Sequence, residues 1–251
     1  MKDLFKWNKL SSDQVYLQAV LFSAGFLILI IVTSELVFDD QQISNSLVVN
    51  FSLFLVIMLL LGITYSYVRV IAWIGVKSRV IFYLKIYLLY GLFVGLFSVF
   101  VNLDFLGQNK PFVFALYHIV SFSVELFFLV KIIRHIFSST ETRPDHIWGA
   151  TLAYFMIILL FAEVYEFITL FNPTYLGEVY VMGLPNFTHC IMFSLNTMSG
   201  IDSLYPEAHS LLKRIASFQS VIGNLFLIIV LGRLLSHPLK LRDSKSETEQ
   251  D

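Results

Sequence analysis

Apolar residues run through this chain in long blocks separated by short polar breaks. Six blocks of about 20 residues or more cover 14–37, 46–68, 80–103, 112–137, 147–171 and 211–235. As α-helix, that length crosses a hydrocarbon core about 30 Å thick. Inside lipid each block must be helical, because a backbone polar group without a partner costs several kcal/mol. A further apolar block, 187–197, is too short to cross and is predicted to enter the membrane and turn back. Residues 237–251 are polar and charged, and are predicted to form a tail outside the bilayer.

Composition agrees with the pattern. Apolar residues make up 57% of the chain, mean hydropathy is +0.76, and only 14% of residues are charged. A soluble domain carries about 25% charged residues. Net charge is −1, so the total says nothing about partners. Its distribution says more. With the N-terminus in the cytoplasm, 14 of the 17 Lys and Arg residues fall on the cytoplasmic side. Only Lys110, Lys213 and Arg214 fall opposite, and Glu35, Asp39, Asp40, Asp104 and Glu178 make the outer loops acidic. This asymmetry is the positive-inside rule, and it places both termini in the cytoplasm. Lys2, Lys6 and Lys9 precede a first apolar block too long for a signal-peptide core and without a small-residue cleavage site, so that block reads as a retained helix.

Candidate chemistry is sparse. Cys190 is the single cysteine, so no intrachain disulfide can form. The histidines at 118, 135, 146, 189, 209 and 237 are scattered without the spacing of a zinc motif. Phosphate loops, nucleophile elbows and paired catalytic acids are missing from the short loops, so the reading predicts no enzyme, resident metal or cofactor, and no sequence-specific nucleic-acid binding.

The informative stretch is Asn196–Pro206, "NTMSGIDSLYP", which follows the short block and precedes the last long one. Apolar helix, half-helix, polar turn, helix is the order of a pore unit. Phe193–Leu235 resembles the pore and inner helix of tetrameric cation channels, specifically the bacterial potassium-type two-helix pore. That family reads T-T-V-G-Y-G-D, a short spacer, Pro, then an inner helix with a basic start and a mid-helix Gly. Thr197, Met198, Ser199, Gly200, Ile201, Asp202 and Ser203 fall on the first motif without gaps. Pro206, Arg214 and Gly223 fall on the proline, the basic residue and the hinge glycine. The resemblance covers about the last 60 residues; the first four blocks match six-helix channels only in number and topology.

The resemblance implies an all-α tetrameric channel of six transmembrane helices, with a re-entrant pore half-helix between helices five and six. Residues 1–137 would form a peripheral four-helix domain, 138–236 the pore domain, and 237–251 a cytoplasmic tail. In the family, filter carbonyls replace the hydration shell of K⁺. Here Met198 removes a hydroxyl ligand and Asp202 replaces a glycine. In a tetramer Asp202 would form a ring of four carboxylates holding partly hydrated cations. The expectation is a weakly selective pore for Na⁺ and K⁺, with Ca²⁺ as a further candidate, in a bacterial inner membrane. Pro185 and Asn186 are expected to start and cap the half-helix, with its carbonyl end toward the pore.

Other residues carry two readings each. Glu163 and Glu166 share a helical face in the fifth span and are expected to support the filter, Glu163 buried against protein, Glu166 bonding the filter loop or reaching interfacial water. Glu125, mid-span, pairs with another helix or belongs to a proton pathway with His118. Gly223 is a gate hinge or a close-packing position, Asn224 a pore-facing ring or helix glue, and Ile228 part of an apolar gate. Arg233, His237, Lys240 and Arg242 anchor to lipid headgroups, or ring the cytoplasmic mouth and bind an anionic gating ligand or a separate regulatory partner. Lys131 and Arg134 are too few for a voltage sensor. The alternatives to a weakly selective channel are a potassium-selective channel with a distorted filter, a membrane-depolarising effector of stress or phage defence, and a transporter or non-conducting scaffold whose Asn196–Pro206 is a plain loop.

Overall fold

The computed structural model describes residues 11–33, 62–63, 65–86, 109–138, 143–179, 182–201 and 205–236, with single positions 55, 58 and 89. Within these all regular structure is helical. Five long elements set the frame: α1 (Ser12–Thr33), α2 (Lys110–Ser138), α3 (Pro144–Phe171), α4 (Leu184–Ser199) and α5 (Ser210–Ser236). Residues 65–73 and 78–86 are also helical, joined by a turn at Gly75, whose φ of 82° suits glycine. The predicted second and third spans fall mostly outside the described residues.

Among the described residues four helices, α1, α2, α3 and α5, are long and apolar enough to cross a membrane. They correspond to predicted spans one, four, five and six.

Helix α3 is the axis of the packing. It touches α1, α2, α4 and α5, and buried side chains follow it almost without a break from Gly149 to Leu170. Pro144 opens it at a position where the missing N–H costs nothing. Helix α1 starts as its sequence suggests. Ser11 precedes the first turn and its backbone N–H donates to Gln14 Oε1 at 3.2 Å, half of a capping box. Val15, Tyr16, Ala19, Ser23, Phe26 and Leu27 form its buried face at helical spacing. Gly149 lets this face come close: a Cβ there would sit 3.3 Å from the Tyr16 ring and 3.4 Å from Ile136.

Helix α4 is 16 residues long, about 24 Å of helix, short of a full crossing. Its start differs from the expectation. Gly183, at φ 112°, reverses the chain and stands at the cap position. Asn186 therefore lies inside the first turn and is not the cap. Its buried Nδ2 instead donates to Thr169 Oγ1 at 2.9 Å, tying the start of α4 to the end of α3.

Helix α5 buries one narrow line: Leu212, Gln219, Gly223 and Val230. Ile215, Ile222 and Phe226 flank this line half-buried, and Phe218, Val221, Leu225 and Ile228 are open in the single chain.

Candidate functional site

The short helix α4 is held between α3 and α5 by a chain of buried polar groups. Tyr165 Oη donates to Gln219 Oε1 at 2.6 Å. Gln219 Nε2 donates to Ser194 Oγ at 2.7 Å and to Ser194 O at 3.1 Å. Ser194 Oγ donates to the Ile158 carbonyl at 2.7 Å. Gln219 and Ser194 are fully buried. A buried amide needs its partners, and here both ends of the Gln219 side chain are occupied. This clamp was not singled out in the sequence. Its only sign is a glutamine inside an otherwise apolar helical stripe.

The end of α4 carries the predicted filter. Thr197, Met198 and Ser199 are helical, so the extended carbonyl ladder of the resembled family does not begin at these positions. Thr197 Oγ1 donates to Phe193 O at 2.8 Å, and Ser199 Oγ to Asn196 O at 3.1 Å, both back into the helix. Gly200 ends α4 in the left-handed conformation, φ 69°, which glycine adopts at little cost. Tyr154 Oη donates to Met198 O at 3.2 Å and occupies one of the carbonyls a helix end leaves open. Ile201 is exposed. Asp202 and Ser203 lie outside the described residues.

Beside this end a cleft of about 380 Å³ runs between α4 and the first half of α5. Asn196, Thr197, Lys213, Ser217 and Ser220 give it polar walls. Lys213 does not leave a bare ammonium there, because its Nζ donates to Pro206 O at 2.6 Å. Tyr205, shortly before α5, holds its hydroxyl 3.0 Å from His189 Nδ1 of α4. Tyr175 stacks on His209 at 4.1 Å between ring centres.

Met198 is buried against Gly223, where a Cβ would stand 2.5 Å from its sulfur. Helix α5 runs unbroken through this point. The geometry gives Gly223 the close-packing reading. Asn224 and Ile228, one turn apart, are both exposed and face away from the rest of the chain.

Glu163 and Glu166 are both buried, at 4% and 1% exposure. The sequence reading aimed Glu166 at the filter loop or at water. Its carboxylate instead lies 3.0 Å from His118 Nε2 of α2, with the two groups out of line for a hydrogen bond. Glu163 and His118 also line a cleft of about 210 Å³ with Phe122 and Phe167. One oxygen each of Glu125, Glu163 and Glu166 lacks a hydrogen-bond partner. Three acids and a histidine thus meet in the apolar layer between α2 and α3. The sequence reading placed His118 near Glu125, along one helix, and missed its contact across to the next.

Arg233, near the end of α5, stacks its guanidinium on the Phe137 ring at 5.0 Å. His237, Lys240 and Arg242 lie outside the described residues. A second polar cluster, absent from the sequence reading, sits near the same end of the bundle: His135, Asp145 and His146 bring their ligand atoms within 4.8 Å of one another.

No family model, curated protein or solved structure significantly matches this chain.

Proposed function

We propose that this chain is the subunit of a weakly selective cation pore, built from four copies around α5. The observation that carries the reading is α4: a helix too short to cross, clamped between two helices long enough to do so, ending in a left-handed glycine beside a polar cleft. Its carbonyl end presents partial negative charge where the chain turns toward Asp202. With Thr197–Ser199 folded into the helix, four Asp202 carboxylates around the axis would select by charge, and cations would pass partly hydrated. Arg233, His237, Lys240 and Arg242 form the inner mouth in this arrangement and take an anionic headgroup or ligand.

The test is flux. Liposomes holding the intact chain should pass Na⁺ and K⁺, and Asp202→Asn should reduce the flux or shift the reversal potential. Liposomes that hold the folded oligomer and stay tight to Na⁺, K⁺ and Ca²⁺ overturn the proposal.

A second reading has its own observation. The acids around His118 lie against a cleft in the apolar layer, a setting suited to carrying protons. Under that reading the chain is a proton-coupled transporter, and Glu166→Gln abolishes dissipation of a pH gradient while Asp202→Asn leaves it intact. The pore reading expects the opposite dependence for cation flux.

A further inference from the structure

The end of α2 and the start of α3 bring three metal-ligating side chains together. His135 comes from the last turn of α2, and Asp145 and His146 from the first turn of α3. Their ligand atoms lie within 4.8 Å of one another. His135 Nε2 and Asp145 Oδ2 are 3.9 Å apart, too far for a hydrogen bond. Both atoms are buried and have no hydrogen-bond partner. Asp145 and His146 are each 2% exposed. A carboxylate oxygen and an imidazole nitrogen that face each other at 3.9 Å, both buried and neither hydrogen-bonded, are an expensive arrangement for a protein to keep.

A cation between them resolves the cost. Zinc binds imidazole nitrogen and carboxylate oxygen at about 2.0–2.2 Å, which sets tetrahedral ligands about 3.4 Å apart. The 3.9 Å gap between His135 and Asp145 needs an inward shift of about half an ångström, and the widest separation in the group, 4.8 Å, needs a rotamer adjustment of more than an ångström. Two imidazoles with a single carboxylate suit zinc-like transition ions better than Ca²⁺ or Mg²⁺, which take mostly oxygen. The surroundings hold the ligands in place. Tyr16 of α1 stacks on His135 with 12° between the rings, and Trp73 meets the same imidazole edge-on at 5.1 Å. His135 keeps 21% of its side chain exposed, which leaves an entry edge. One existing bond must be exchanged. His146 Nδ1 accepts from the Arg143 N–H at 3.3 Å, and a neutral imidazole has only one lone pair. That bond is long, and a metal bond replaces it.

The geometry points to a Zn²⁺ site formed by His135, Asp145 and His146, with water completing the shell. The ion staples the end of α2 to the start of α3. The claim stands apart from conduction, since it concerns binding alone.

The experiment uses the full chain, purified in detergent through a tag without histidine. Competition against a chromogenic chelator should give about one Zn²⁺ per chain, and Co²⁺ in its place should show the visible bands of tetrahedral nitrogen–oxygen ligation. His135→Asn and Asp145→Asn should each weaken binding by roughly 10–100-fold or more. His209→Ala, at an exposed histidine elsewhere, should leave it unchanged. Wild-type chain that takes up no stoichiometric Zn²⁺, or binding that survives both substitutions, overturns the proposal. If a variant fails to fold, the wild-type stoichiometry and Co²⁺ spectrum decide alone.

Discussion

Helices α3 and α5 are alike in sequence and opposite in placement. Both are long, equally hydropathic and able to cross a bilayer. Yet 67% of the α3 window is buried within the chain, against 17% of the α5 window. Hydropathy therefore identifies the solvent of a helix but not its neighbours. In lipid, an apolar face gains little from meeting another apolar face, so contacts are decided by small residues, shape and polar bonds. Helix α3 has these on several sides: Gly149 against Tyr16, Glu166 against His118, Tyr165 against Gln219. Helix α5 has them on one line only, at Gln219 and Gly223. The open face of α5 is where lipid or further copies of the chain must lie.

Substitutions on the two helices should separate the two cases, and the largest effect belongs to α3. Glu166→Ala removes one partner of a buried contact and leaves His118 without the carboxylate that stands 3.0 Å from it. It should cost about 3–5 kcal/mol of stability, read as lost folded protein in a detergent unfolding titration. A smaller loss, about 1–3 kcal/mol in the same titration, is expected for Gln219→Leu, which strands Tyr165 and Ser194. That result would show that the buried line of α5 behaves like α3.

Gly223→Ala should cost less, under about 1 kcal/mol, because the methyl meets only the flexible end of Met198, which can swing aside. If Gly223 were a hinge, the same change would leave stability alone and alter gating kinetics in bilayer recordings. At the bottom of the scale, Phe218→Ala on the open face should change single-chain stability by no more than about 0.5 kcal/mol. It should nevertheless weaken the assembly, seen as a shift toward smaller species on a sizing column. A Phe218→Ala chain that unfolds readily would show that α5 is supported by its own chain more than its exposure indicates.

The helices were legible in the sequence because lipid leaves a long apolar run no other structure. The burial of Glu163 was legible for a similar reason, since lipid rejects an acid on an apolar helix, whereas Glu166, expected at the filter loop or in interfacial water, is buried as well. Their partner was not. His118 lies 48 residues before Glu166, and nothing in local spacing says which helix will stand opposite. The start of α4 was misjudged because Asn186 is a good capping residue, whereas Gly183 at a positive φ turned the chain three residues earlier and freed Asn186 to bond Thr169. The His135–Asp145–His146 cluster escaped notice because its members come from the end of α2 and the start of α3, a juxtaposition that residue spacing does not encode. The conformation of the expected filter residues was not legible. Thr197–Ser199 continue the helix because their hydroxyls and Tyr154 provide it with bonds to the last turn.

The central claim is that the open face of α5 meets other copies of the same chain. The most direct measurement is the mass of the intact assembly in lipid nanodiscs by native mass spectrometry. The account predicts a species of about four times the 28.9 kDa chain, persisting at low protein concentration. A chain that stays at a single 28.9 kDa mass under conditions where its helices remain folded would contradict it.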